Sequence, residues 1–212
     1  MPSTQQLRTD RLVLRRWRDG DRAPFAAMNA DPEVMEHFPA ALTPDESDLF
    51  IDRIEAGFER HGFGHWALEI AETGRFIGFT GLSVPRFQMH FTPAVEIGWR
   101  LTRSGWGHGY ATEAARRVLG FAFDDLGLDE VVSFTSRTNL RSQAVMERIG
   151  MTYDPADDFD HPLVEEGHPL RRHVLWRMTA GRRPGRRSGG RSRSGSPATG
   201  GRPPLIGGLP PA

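Results

Sequence analysis

The chain has 212 residues, 38% of them hydrophobic and 9% aromatic, which suits one globular domain with or without an appendage. It contains no cysteine, so disulfides, thiolate zinc sites and a cysteine nucleophile are excluded, and any nucleophile is oxygen or nitrogen. Basic and acidic residues balance at 27 each, but seven arginines and no acid fall after residue 180, leaving a net charge of −7 ahead of them.

Along residues 1–180 the hydrophobic period alternates between two and 3.6, the pattern of a mixed fold with interleaved strands and helices. Leu12, Leu14 and Trp17 mark a first strand. Asp19 or Asp21 is placed to cap a helix carrying Phe25, Ala26 and Met28, and Asp31-Pro32 to open a short second one. The stretch TPDESDLFIDRIEAGFERHG predicts a longer helix, with a cap at Thr43, apolar Phe50, Ile54 and Phe58, and Gly62 as terminator. Three extended segments follow, His65 to Ile70, Phe76 to Ser83 and Ala94 to Thr102, and suggest an antiparallel meander. In the third, Val95, Ile97, Trp99 and Leu101 share one face, and Glu96, Gly98 and Arg100 share the other.

Next comes GWGHGYATEA, residues 105–114, where glycines run directly into helix formers. A helix is expected to begin at Ala111 or Thr112 and to run to Gly127, with a β-branched strand at Glu130 to Thr135 after it. Strand, glycine turn, helix and strand make a crossover unit, whose two strands lie parallel and whose first loop sits at their carboxyl ends, where ligands usually bind. Two readings of the glycines stay open on spacing alone. They let unpaired helix-terminal amides approach a phosphate or pyrophosphate, or they make a tight turn for helix packing. No Walker loop is present, and Gly105, Gly107 and Gly109 have the wrong spacing for a dinucleotide fingerprint. Asn139 is placed to cap a helix from Leu140 to Ile149 ending at Gly150, and RHVLWRM alternates as a terminal strand. His161, His168 and His173 are spaced by seven and five residues, match no zinc pattern, and no metal site is assigned.

The sequence resembles the GNAT superfamily of acetyl-CoA-dependent N-acetyltransferases, and within it the RimJ/RimL-like branch that acetylates ribosomal-protein N-termini. The resemblance rests on LRTDRLVLRRWRDGDRAPFAAMNADPEVMEHFP, IGFTGL, AVEIGWRL, WGHGYATEA and TNLRSQAVMERIGM, in the family's order. It implies an α/β (α+β) fold: a mixed central sheet of six to seven strands with an antiparallel meander, a splayed central parallel pair, and helices on both faces. Residues 106–111 match the loop whose amides hold the coenzyme A pyrophosphate, with Trp106 departing from the usual Gln or Arg. The cofactor-binding set implied is Leu101 and Thr102 beside the pantetheine arm, Gly107, His108, Gly109, Tyr110, Ala111 and Thr112 in the loop, and Asn139. Glu96 becomes the candidate base, its alternative being a surface or paired carboxylate. Met146 stands where many relatives have an acidic tyrosine, and Ser142 matches a serine proposed as general acid in the ribosomal branch, its plain reading being support of the helix's first turn. In the loop before the last strand, His161, Glu165, Glu166 and His168 are candidates to receive a cationic amine.

The expected activity is direct transfer of acetyl from acetyl-CoA, with no metal, to a primary amine: a protein N-terminal α-amine or a small cationic molecule. The expected organisation is an acetyltransferase domain over 1–179 and a disordered Arg/Gly/Pro/Ser-rich tail over 180–212. The rival reading is a non-catalytic CoA-binding or RNA-associated module that uses this basic tail on a polyanion. No apolar N-terminal run or membrane-length segment is present, so a cytoplasmic protein without a membrane partner is expected; its assembly, which no motif indicates, is taken as monomer or homodimer.

Overall fold

In the computed structural model, which describes residues 6–182, one mixed sheet carries nine strands. In chain order they are β1 (Leu7–Arg8), β2 (Leu12–Arg15), β3 (His65–Ile70), β4 (Phe76–Ser83), β5 (Glu96–Leu101), β6 (Glu130–Ser136), β7 (Thr152–Tyr153), β8 (Phe159–Asp160) and β9 (Arg172–Thr179). The helices are α1 (Arg22–Ala30), α2 (Pro44–His61), α3 (Tyr110–Gly120) and α4 (Leu140–Ile149). Three strands exceed the alternation visible in the sequence because β1, β7 and β8 are two residues long, too short to display a period. The acid-free tail lies outside the described residues from 183 onward. No helix among the described residues is long and apolar enough to cross a membrane.

The sheet runs β1-β2-β3-β4-β5-β6-β9-β7, with β8 also paired to β9, and every pairing is antiparallel except β5 with β6. That parallel pair is joined at one register position, Glu96 opposite Val132. There the Val132 amide donates to the Val95 carbonyl at 2.9 Å, and the Ser133 hydroxyl donates to the Ile97 carbonyl at 2.9 Å. Beyond Ile97 the ladder stops, and residues of both strands line a common cleft.

Register assigns the faces. His65 lies opposite Gly81, Gly81 opposite Gly98, Phe79 opposite Arg100 and Ser83 opposite Glu96, so His65, Phe79, Gly98, Arg100 and Glu96 share one face. α1 and α2 cover it through Phe25 and Phe50, whose rings stand 6.0 and 5.9 Å from that of Phe79. On the other face Trp66 packs edge-on against Phe121, 5.4 Å away, just after α3. Ile97 and Leu82, directly opposite each other, are buried in the same core. The polar side of AVEIGWRL is therefore the side on which α1 and α2 leave room for a site.

α2 starts as its sequence dictates. The Thr43 hydroxyl accepts from the Glu46 amide at 3.2 Å, the Glu46 carboxylate accepts from the Thr43 amide at 2.8 Å, Pro44 follows, and Gly62 closes the helix at φ 76°. Thr43→Ala removes half of this reciprocal cap and is expected to cost about 1 kcal/mol of unfolding free energy, read from the urea midpoint at unchanged slope.

Three local expectations are corrected. Asp21 does not cap α1; its carboxylate accepts from Arg15 at 2.7 and 2.9 Å and from the Arg18 amide, because a buried arginine needs that charge. Asp31-Pro32 opens turns rather than a helix: Asp31 accepts from the Glu33 amide at 3.0 Å, a local bond that competes with helical pairing. α3 begins one residue early, at Tyr110, and gives way at Phe121–Asp125 to a π-helical turn before Gly127.

Candidate active site

The glycine run leaves β5 through a short turn at Arg103–Gly105 and enters α3. Gly107 and Gly109 both sit at φ 77°, a left-handed conformation that costs most residues roughly 1 kcal/mol or more and glycine almost nothing. The first amide of this region to find a carbonyl is that of Glu113, which donates to Gly109 at 3.0 Å. The amides of residues 107–112 have no backbone acceptor among the described residues, so they form a ready anion cradle. Five arginines border it against two acids, Asp10 and Glu113, the latter paired with Arg11. The Arg11 Nη1 donates to the His108 carbonyl at 3.0 Å while its guanidinium lies over the Tyr110 ring at 4.8 Å, and Arg8, Arg116, Arg117 and Arg148 border the same hollow as Gly109 and Thr112. Arg141 stacks over Trp106 at 4.6 Å.

From the cradle a cleft of about 1100 Å³ runs between the diverging β5 and β6. Gly98, Trp99, Arg100 and Leu101 form one wall, and Ser133, Phe134 and Thr135 the other. An extended ligand arm here would meet the β5 edge that β6 has left. Trp106 limits how far, because its indole donates to the Leu101 carbonyl at 3.0 Å. Thr102 is not part of the cleft wall; its amide donates to Ile77 at 2.9 Å. His108 also lies outside the wall, exposed and stacked on Tyr110.

Glu96 sits where the two strands part. It is enclosed by protein yet borders the cleft, and burial pushes its carboxyl up to about 8 against the opposing effect of the Ser83 hydroxyl, 3.3 Å away. On the same face stands His65, held near 4 by burial and by the charge of Arg100, so its imidazole is neutral at physiological pH. Gly98 separates the two: a Cβ there would lie 3.6 Å from His65 Nε2 and 4.0 Å from Glu96 Oε1. A proton acceptor with a pKa near the working pH, a neutral imidazole and a gap between them suit proton transfer from a bound amine.

Asn139 caps α4, its Oδ1 accepting from the Ser142 amide at 3.1 Å while its amide donates to Thr135 at 2.9 Å. Asn139, Ser142 and the buried Met146 all line the cleft. At its far end His161 lies 4.8 Å from His173 and 4.7 Å from Phe87, ring to ring, and Phe134 stands 6.0 Å away. Burial, helped by His173, holds His161 near 4, so it presents a neutral ring face rather than a charge. Glu165, Glu166 and His168 lie outside the cleft wall, with the two glutamates exposed. His168 instead shapes its own loop, its Nδ1 accepting from the Leu170 amide at 3.1 Å.

The model of the acetyltransferase (GNAT) domain matches residues 11–152, two thirds of the chain. This chain belongs to the GNAT family. Among curated relatives, it is 32% identical to the uncharacterized protein YkkB of Bacillus subtilis over 154 residues, covering 72% of this chain and 88% of that one. It is 35% identical over 151 residues to the FsC-acetyl coenzyme A-N(2)-transacetylase of Aspergillus fumigatus, covering 66% of this chain and 63% of that protein. Among solved structures, an acetyltransferase from Agrobacterium tumefaciens superposes with a TM-score of 0.68 at 31% identity, over 83% of this chain and 95% of that one. A Vibrio cholerae spermidine N-acetyltransferase, in complex with CoA and spermine, shares the fold with a TM-score of 0.65 at 16% identity, over 82% and 98% of the two chains.

As a GNAT domain the chain is an acetyl-CoA-dependent N-acetyltransferase. The cradle at residues 107–112 fits a pyrophosphate in its donors and its surrounding charge. Three side chains around this GNAT cleft escape sequence reasoning, Arg11, His65 and Arg141, while alternation puts Arg100 on the Glu96 face without giving it a role. Arg11 reaches the loop from 97 residues away, and no local pattern announces that. His65 could have been found by carrying the Glu96 face across the meander, once its register was fixed.

Proposed function

We propose that the cleft acetylates a primary amine directly, in a ternary complex, with Glu96 as the proton acceptor. The observation that carries this reading is Glu96 itself, a carboxyl raised to about 8 and bordering the cleft where β5 and β6 separate. Bound acetyl-CoA supplies an activated acetyl thioester, with its pyrophosphate at residues 107–112 and its arm beside Leu101. The amine nitrogen forms the new bond to the acetyl carbon as the carbon–sulfur bond breaks, and Glu96 takes the amine proton directly or through water. The departing thiolate, with an ordinary pKa near 8.5, needs only a hydrogen bond or a proton, and the Ser142 hydroxyl supplies it.

The acceptor in this reading is a protein N-terminal α-amine, as in the RimJ/RimL-like branch, or a small amine molecule. An α-amine with an ordinary pKa of about 7.7–8.0 is far easier to deprotonate near neutrality than a lysine at about 10.4. The test is an acetyl-CoA turnover screen across Ala- and Ser-initiated peptides, lysine peptides, polyamines and small amino compounds, read by mass spectrometry. Saturable acetyl-CoA binding without thiol release from any of them overturns the reading. Ser142→Ala is expected to lower kcat about tenfold at unchanged KM for the amine, measured with a thiol reagent. An unaltered kcat removes Ser142 from the leaving-group step.

A further inference from the structure

Two buried arginines in this domain are treated in opposite ways. Arg15 is 6% exposed and fully answered: Asp21 accepts from both terminal nitrogens at 2.7 and 2.9 Å, and Glu69 accepts from Nε at 2.7 Å. Arg100 is 9% exposed, and no carboxylate among the described residues pairs with it. Its Nη1 donates to Asn29 Oδ1 at 2.6 Å, and its Nε donates to nothing in the protein. Asn29 is itself fully buried and fixed by its bond to the Ser47 hydroxyl at 3.0 Å, so the guanidinium is held in place rather than satisfied. Phe38, Phe79 and Phe50 stand around it at 4.0, 5.5 and 5.9 Å.

Stacking on these rings offsets only part of the desolvation that an unpaired buried ion suffers. Nearby acids are committed elsewhere. Glu33, which also lines the cleft, pairs with Arg103, and Glu96 bonds to Ser83. Burial pulls Arg100 down only to about 10, so it is a cation at any working pH. It lies in the cleft wall, two residues from Gly98, which is roughly 7 Å along a strand.

The geometry points to Arg100 as the receptor for an oxyanion carried by the acceptor, so that this enzyme acetylates amines that also bear a carboxylate or phosphate. The assignment rests on the reading of the cleft as the amine site and adds the class of amine. A guanidinium that lines the cleft with no carboxylate partner, rigidly held and partly dehydrated, binds an oxyanion far better than water-exposed arginine does. A polyamine would bring a second positive charge to the same wall.

The test uses matched acceptors with the full-length enzyme: γ-aminobutyrate against its primary amide, phosphoethanolamine against ethanolamine, and spermidine as the cationic control. The anionic member of at least one pair is expected to have a kcat/KM about tenfold or more above its neutral partner. The carboxylate and phosphate arms tell the two sources apart. Arg100→Met is expected to erase that preference while the acetyl-CoA Kd, by calorimetry, stays put, and Arg100→Lys to keep part of it. A neutral amide or spermidine turning over at least as well as the anionic amines overturns the oxyanion assignment and leaves the acceptor site standing. So does an Arg100→Met defect equal for both members of a pair, or one that appears in the acetyl-CoA Kd. Acetyl-CoA binding without turnover of any amine overturns the acceptor reading of the cleft as well. If Arg100→Met fails to fold, the wild-type ratios and the Arg100→Lys variant decide.

Discussion

Glu96→Gln is expected to lower kcat for acetyl transfer by about 10²-fold or more while leaving the acetyl-CoA Kd within about twofold, because the amide is isosteric but cannot take a proton. The wild-type rate should rise with pH through about 8, the value to which burial lifts Glu96, and the Gln variant should lose that limb. An acceptor amine of low basicity must be used, since an ordinary α-amine titrates in the same range. Equal pH profiles in the two proteins would remove Glu96 as the base.

The same carboxyl leaves a second signature, in stability. Its folded pKa lies above the ordinary value of 4.5, so between 4.5 and about 8 the native state holds a proton that the unfolded chain has released. Stability therefore falls as pH rises through that window, by up to about 1.4 kcal/mol per unit. His65 works in the opposite sense: its folded pKa near 4 lies below 6.5, so the unfolded chain binds the extra proton between those values and stability rises with pH there. The two slopes oppose each other below 6.5, and the Glu96 slope stands out between 6.5 and 8. Urea unfolding at pH 6.5 and 8 should show a loss in the wild type that Glu96→Gln flattens.

What the sequence disclosed and what it withheld follow from how each feature is built. α2, β3, β4 and α4 were legible to the residue because their signals are local: Thr43 with Glu46, Asn139 three residues from Ser142, and alternation from His65 to Ile70. The cleft was legible in part. Glu96 and the Gly107–Ala111 loop could be singled out from one strand and one turn, but the partners that tune them come from elsewhere. Arg11 reaches the loop from β1–β2, His65 meets the Glu96 face only through the register of three strands, and Arg100 is fixed by Asn29 of α1, 71 residues away. The loop from His161 to Leu170 misled for the converse reason. Its histidines and glutamates looked like a cluster in one dimension, yet the chain turns so that His161 faces the aromatic wall while Glu165 faces outward.

Gly109→Asp is expected to weaken acetyl-CoA binding by ten- to a hundredfold, about 1.4–2.8 kcal/mol. Two effects add. At φ 77° any side chain strains the turn, and a carboxylate there stands among the amides of residues 107–112, where a diphosphate would have to sit. The new carboxylate would also stand beside the Arg11–Glu113 ion pair, whose Arg11 Nη2 lies 3.7 Å from the position of a Cβ, and add a second acid to that rim. Gly109→Ala separates the two, since it carries the strain without the charge. If Ala alone costs most of the affinity, the turn's shape governs binding; if the loss comes with Asp and grows as salt is lowered, anion recognition does. An unchanged Kd in both variants would mean that the diphosphate lies away from the start of α3. The pairing of Glu96 with Val132 would then order the cleft without saying which end of the cofactor enters it.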